Sequence, residues 1–321
     1  MTLLVGTDEA GYGPNLGPLV VSASVWRTSD DLPDLDLYQR LDQAVTSSAS
    51  EKEPTSRLAI ADSKLLYKPG GGLANLERAV LFFVDNDFSN PVAWNELLGD
   101  LDPQCQDKLA DIPWYKEFET VVPVDCDREN IVRVRANLKS AFSQSSVRFE
   151  QLRSKIVFPK CLNDAIDQHG NKATALSIAT LSLVRSSIAD CSDSYIMIHC
   201  DKHGGRNKYG ALLQQIFPEY LIEVHQESRE KSVYRWGPAE RRVEIHFTAK
   251  GERCMASALA SMTSKYLREI AMKAFNEFWC RHVPRIRPTA GYPVDAKRFR
   301  YEIESARKRL AIDERILWRN R

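Results

Sequence analysis

Four acidic side chains stand where an α/β chain places its chemistry. Asp8 and Glu9 are adjacent at the end of an apolar opening run, Leu3-Leu4-Val5-Gly6-Thr7. Asp201 closes a second apolar run, Tyr195-Ile196-Met197-Ile198-His199-Cys200. In open α/β sheets ligand sites gather beside strand ends, so these two ends are placed to meet. Neighbours on a strand face opposite sides, and Asp8 and Glu9 serve one site only if the chain turns near Gly11. Glu269 lies on a long helical stretch, 252–280, that also offers Glu252. It falls two turns after Ser261 and one turn after Lys265 on a shared face. The small residues Ala256, Ser257, Ala258, Ala260 and Ser261 let that helix approach a sheet closely.

Clustered carboxylates repel one another unless cations sit among them. Oxygen-only donors suit Mg²⁺ or Mn²⁺, with phosphate oxygens completing the shell. Two such ions about 3.5–4 Å apart activate a water and stabilise the leaving oxygen in phosphodiester hydrolysis. Each acid also has a plainer reading. Asp-Glu before Gly is a common surface turn, Asp after a strand is a common helix cap, and Glu269 can pair with Lys265 or Lys273. Their order and context together favour a site. The turn Gly11-Tyr12-Gly13-Pro14-Asn15-Leu16-Gly17-Pro18 can cradle a phosphate, but it lacks the G-K-[ST] ending of a P-loop. The six histidines show no nucleophile-elbow context. Only His203 falls near a proposed ligand.

The elements that position these residues read as an alternation. Residues 3–8 and 18–26 are strands joined by the Gly/Pro turn, hence an antiparallel pair. Residues 27–56 look like an exposed linker or insertion. Helices are expected over 73–83, 128–155, 171–189, 252–280 and 295–312, and strands over 119–124, 195–200, 219–226 and 242–249. That is an α/β fold with a mixed sheet. No internal repeat and no low-complexity tract is visible.

Composition narrows the class. The chain has 321 residues, 43% hydrophobic and 27% charged, with a net charge of +1. No apolar run approaches the roughly 18 residues of a membrane span, and the opening lacks a secretory pattern. Seven cysteines with no C-x-x-C spacing argue against a disulfide frame and a structural zinc site. A reducing cytoplasm is the expected compartment. From Arg285 to Arg321 there are eleven Lys/Arg against five Asp/Glu, a basic end suited to phosphate or simply to solvent.

The motifs resemble those of the type 2 ribonuclease H family, ribonucleases HII and HIII. Gly6-Thr7-Asp8-Glu9-Ala10-Gly11-Tyr12-Gly13-Pro14, followed by Gly17-Pro18-Leu19-Val20-Val21, is similar to the family's first-strand signature. Ala61-Asp62-Ser63-Lys64-Leu65 resembles its Asp-Ser-Lys motif. Lys250-Gly251-Glu252, then Ala258 to Lys265 and Arg268-Glu269, resembles its catalytic helix. Gly291-Tyr292-Pro293 and the basic helix after it resemble its C-terminal end.

The resemblance implies a ribonuclease H-like mixed five-stranded sheet flanked by helices, with insertions and a C-terminal helical region. It divides the chain into a catalytic domain over 1–282, with insertions near 90–160 and 205–245, and a basic helical extension over 283–321 packed on it. By matching position it assigns Asp8, Glu9, Asp201 and Glu269 as catalytic ligands of Mg²⁺ or Mn²⁺. It implies attack by water on RNA/DNA hybrids or ribonucleotide-containing duplex DNA, leaving 5′-phosphate and 3′-hydroxyl ends. Gly11, Tyr12 and Gly13 would contact the ribose 2′-hydroxyl, the group that tells RNA from DNA. Tyr292 would pack on the neighbouring sugar, and Lys64 and Lys265 would make phosphate or ordering contacts. A monomer is expected.

The chain departs from the family in three ways. Tyr12 replaces the usual Arg between the glycines, Glu269 replaces the Asp usual in the HII branch, and the chain is about a hundred residues longer than a typical HII enzyme. Two other readings stand beside the nuclease: a duplex-binding protein without catalysis, and a Mg²⁺-dependent hydrolase of small phosphate esters.

Overall fold

The computed structural model describes residues 1–29, 36–48, 57–68, 70–84, 92–249 and 254–320. Seven strands form the main sheet: β1 Thr2–Ala10, β2 Leu19–Thr28, β3 Val147–Val157, β4 Tyr195–Asp201, β5 Glu223–Glu227, β6 Lys231–Trp236 and β7 Arg242–Thr248. Their order is β3-β2-β1-β4-β7-β6-β5. The β1–β2 and β2–β3 pairs are antiparallel, β1–β4 and β4–β7 parallel, and β7–β6 and β6–β5 antiparallel.

The helices that matter here are α1 Ser63–Leu66, α2 Ala74–Phe83, α3 Arg128–Gln144, α4 Pro159–His169, α5 Lys172–Ile188, α6 Met255–His282 and α7 Pro293–Arg309. Strand alternation splits the core into two layers. Leu3, Val5, Ile196 and Ile198 pack with α5, whereas Leu4 and Met197 pack with α6. From Met255 to Ser264 every residue of α6 is buried, as expected of a helix apolar or small on all sides. The small residues do what their sizes predict. A Cβ on Gly6 would lie 2.2 Å from the Ser257 nitrogen, so only glycine lets β1 and α6 touch there. Hydroxyls knit the contact: Ser24 Oγ donates to the Ala256 carbonyl at 2.7 Å, and Ser264 Oγ to the Asp8 carbonyl at 3.0 Å.

The expected mixed sheet flanked by helices is present, with two strands more than five. The extra strands, β5 and β6, come from the 205–245 stretch. The helix expected over 128–155 ends at Gln144, and the rest is β3. Its charges alternate with Val147, Leu152, Ser154 and Ile156, which face inward. The alternation begins only two residues after a true helix ends, so the helical expectation runs on into it. The strand expected over 119–124 is only Val121–Val122. The 27–56 stretch is no bare linker, because Leu37, Leu41, Ala44 and Val45 are buried. Residues 250–253, Glu252 among them, lie outside the described residues. All seven cysteines are free, and among the described residues no helix is long and apolar enough to cross a membrane.

The C-terminal region packs on the rest of the chain. Ala296, Phe299, Ile303 and Ala306 bury one face of α7, Glu314–Leu317 lies against α4, and Trp318 bridges antiparallel to Leu16.

Candidate active site

Parallel pairing of β1 with β4 runs in constant register from Thr2↔Tyr195 to Gly6↔His199. Carried two residues on, that register sets Asp8 beside Asp201. Both belong to the row of side chains that faces α6, where parallel neighbours lie about 4.8 Å apart between strands. Asp8 is 9% exposed. Burial pushes its carboxyl well above the usual carboxylate range, Glu9 and then Asp201 push it further, and a hydrogen bond with Ser261 pulls the other way. A buried carboxyl and two part-buried ones thus stand together at the ends of β1 and β4.

Glu9 belongs to the opposite row, because β1 stays extended through Ala10 and turns only at Gly11, whose φ is +88°. The charge of Glu9 is felt by Tyr12, Cys200 and Tyr209, all on the α5 side. Although it starts from that row, Glu9 lies close enough to Asp8 for its charge to raise the Asp8 carboxyl.

Glu269 stands further along α6. It is eight residues from Ser261, about 12 Å of helix rise. Its Oε2 accepts from Tyr67 Oη at 2.8 Å and its Oε1 from Lys265 Nζ at 2.5 Å. Lys265 also lies 4.5 Å over the Tyr67 ring. The structure so brings Glu9 and Asp201 within electrostatic reach of Asp8 and holds Glu269, further along α6, in a Tyr67–Lys265 clasp. Among the described residues, no three His, Cys, Asp or Glu side chains form a ready-made metal cage.

The other predicted residues divide. Gly11, Tyr12 and Gly13 border the acids. A Cβ on Gly11 would meet the Pro18 carbonyl at 2.7 Å and Arg268 Cδ at 2.8 Å. The Tyr12 ring lies under Lys172 Nζ at 5.0 Å, and its hydroxyl crowds Gly204. Burial, then Glu9, raises the Tyr12 phenol, with Arg206 opposing. Tyr292 is 57% exposed and approaches Gly13. Lys64 is mostly exposed, with Nζ 3.9 Å from Asp62, while the Asp62 side chain caps α1. Lys265 serves Glu269 rather than open solvent. His203 is a core residue: 1% exposed, bonded to Ser177 at 3.0 Å and packed against Tyr209 and Phe247. A cavity of about 380 Å³ lies by β3 and α5, lined by Asp102, Arg153 and Ser182 among others, and holds none of the four acids.

Sequence reasoning missed several functional neighbours. Ser63 and Ser261 hydroxyls meet at 3.0 Å, which ties the Asp-Ser-Lys segment to the helix beside Asp8. Tyr67, three residues after Lys64, carried no signal of its own. Arg268 is 3% exposed and donates to the Pro18, Leu16 and Ala290 carbonyls at 2.5, 3.2 and 3.2 Å. Its place next to Glu269 was visible, its direction was not.

No family model and no curated protein matches the chain. Among solved structures it is similar to the ribonuclease H2 from Pyrococcus horikoshii OT3, at 16% identity and a TM-score of 0.43, over 98% of this chain and 92% of that one. It is similar to the RNase HII of Archaeoglobus fulgidus in a complex with PCNA, at 14% identity and a TM-score of 0.40, over 95% and 90%. It is also similar to Bst-RNase HIII in complex with Mn²⁺, at 12% identity and a TM-score of 0.38, over 99% and 66%. At these identities the likeness says nothing of the chemistry, which rests on the residues above.

Proposed function

We propose that this protein is a divergent type 2 ribonuclease H, an endonuclease that hydrolyses the RNA strand of RNA/DNA hybrids or ribonucleotides embedded in duplex DNA, leaving 5′-phosphate and 3′-hydroxyl ends. One observation carries the reading: Asp8, buried and burdened by Glu9 and Asp201, lies near the end of β1, beside the end of β4. Structural ion pairs relieve buried charge with a cation or several N–H donors. Here the surroundings add negative charge, and perturbed acids at strand ends are a mark of function.

The donor set fits Mg²⁺ or Mn²⁺, since every candidate ligand is a carboxylate oxygen. Asp8 and Asp201 would hold the cation, joined by Glu9 and by Glu269 once its clasp opens. Bound there, the metal would activate water and stabilise the leaving oxygen. The chain's own groups supply the rest. Gly11 lets the backbone turn approach a ribose closely, Tyr292 presents an exposed ring beside that turn, and Lys172 and Arg206 put positive charge near Tyr12, where the family usually carries an Arg.

The test is cleavage of a labelled DNA duplex with one ribonucleotide, and of an RNA/DNA hybrid, with Mg²⁺ or Mn²⁺. The expected result is metal-dependent cutting by the wild type and none by Asp8→Asn. Salt-sensitive duplex binding without turnover, or hydrolysis of small phosphate esters alone, would overturn the assignment.

A further inference from the structure

The eleven basic residues of the C-terminal stretch do not all face solvent. Arg319 is fully buried, and it lies under the glycine-rich turn. Its backbone N–H donates to the Asn15 carbonyl at 2.9 Å, and Asn15 Nδ2 donates to its carbonyl at 3.4 Å. Its Nη1 reaches the Gly17 carbonyl at 3.4 Å. Asn15 also donates its backbone N–H to the Gly291 carbonyl at 2.8 Å, one residue before Tyr292. Arg268 takes the carbonyls of Leu16, Pro18 and Ala290. Two guanidiniums thus gather the inward carbonyls of the turn and of the segment leading to Tyr292.

This arrangement is poor as pure architecture. Arg319 Nε and Nη2 have no hydrogen-bond partner among the described residues. Burial lowers the Arg319 guanidinium to about 9, and the neighbouring Arg268 pushes it the same way. An apolar side chain of the same length would fill the place without the desolvation cost. A buried cation kept against that cost has its use in what it fixes.

We infer that Arg319 is a positioning residue, which locks the Gly11–Pro18 turn and the Gly291–Tyr292 segment into one rigid surface. That this surface meets a ribonucleotide rests on the proposed function; the anchoring itself does not. The C-terminal segment is then part of the recognition apparatus.

Arg319→Met, Arg319→Lys and, as a control in the same segment, Arg315→Ala test this. Arg315 pairs at the surface with Asp164 and Asp167, away from the turn. Three readouts are needed: amide hydrogen exchange over 11–18 and 289–292, melting temperature, and KM and kcat on a single-ribonucleotide duplex. For Arg319→Met the turn amides are expected to exchange about tenfold faster, with an unchanged or higher melting temperature. KM is expected to rise about tenfold with kcat within about twofold. Lysine should restore part of both effects, and Arg315→Ala should change neither. Wild-type exchange and KM in Arg319→Met, or equal effects in Arg315→Ala, would overturn the inference. Should Arg319→Met not fold, Arg319→Lys decides: intermediate exchange supports the anchoring and wild-type exchange refutes it. If the wild type cuts no duplex, the functional reading fails, and exchange alone decides the anchoring.

Discussion

Asp8 and Glu77 are both buried carboxylates that lean on α6, and their surroundings are opposite. Glu77, fully buried, projects from α2 into a loop that closes around it. The backbone N–H groups of Val124, Asp125 and Cys126 donate to it at 2.5, 2.7 and 2.7 Å, and Tyr266 Oη donates at 2.8 Å. Asp8 has two donors, the Ser261 hydroxyl and the Glu9 backbone N–H, against two further carboxylates. A carboxylate with four donors is a rivet between elements. One with fewer donors and like charges beside it is raised instead of held, as the proposed cation site requires. The same helix supports both, five residues apart at Ser261 and Tyr266.

The sharpest way to break the comparison is to neutralise Asp8. Asp8→Asn should lower turnover about a thousandfold or more, while the melting temperature without metal stays or rises because an unpaired buried charge is gone. Mn²⁺ should stabilise the wild type by up to about 2.7 kcal/mol at a hundredfold excess over Kd, and the variant far less. A melting temperature that falls on Asp8→Asn, with no metal response in the wild type, would make Asp8 another rivet.

The next effect belongs to Glu77. Glu77→Ala strands three backbone N–H groups and the Tyr266 hydroxyl, at an expected cost of about 3–5 kcal/mol. Urea denaturation should show a lower midpoint with an unchanged slope. Turnover per folded molecule should hold. A loss below about 1 kcal/mol would mean that water replaces the carboxylate and that the loop is not riveted.

The two acids were unequally legible in the sequence. Asp8 could be found because strand end, acid and glycine turn stand together within a few residues, and the small residues of α6 announced the close approach that Gly6 permits. Glu77 could not. On α2 it reads as a polar residue in the first turn of a helix, and the loop that binds it is some fifty residues away. The same distance problem hid Arg319, whose charge looked like surface until the chain end folded under Asn15. β3 was lost for a different reason. It is an edge strand with charges on its outer side, and its alternation follows a real helix after only two serines. Glu9 shows a finer limit: the turn at Gly11 is legible in the sequence, whereas the extension of β1 through Ala10, which starts Glu9 from the opposite row to Asp8, is not.

The smallest predicted effect tests the comparison by its sign. His203 is a third buried titratable group, with Ser177 on its ring and Tyr209 and Phe247 packed edgewise around it. Burial lowers it from 6.5 to about 3, with Arg206 acting in the same direction. A depressed folded value means its contribution is present above about pH 6.5 and is lost as pH falls toward 3, at roughly 1.4 kcal/mol per pH unit. His199, lowered to about 4 mainly by burial, adds to the same slope. Asp8 has the opposite sign. Its value is raised by burial first and by Glu9 and Asp201 after it, so its contribution is complete in acid and is lost as pH rises through the folded value. In metal-free urea titrations from pH 7 to 4, His203→Leu should therefore flatten the acid loss of stability, and Asp8→Asn should steepen it. Slopes that move in the same direction in both variants would show that Asp8 is not short of compensating charge, because only an uncompensated carboxylate gains from its proton while a buried imidazole loses.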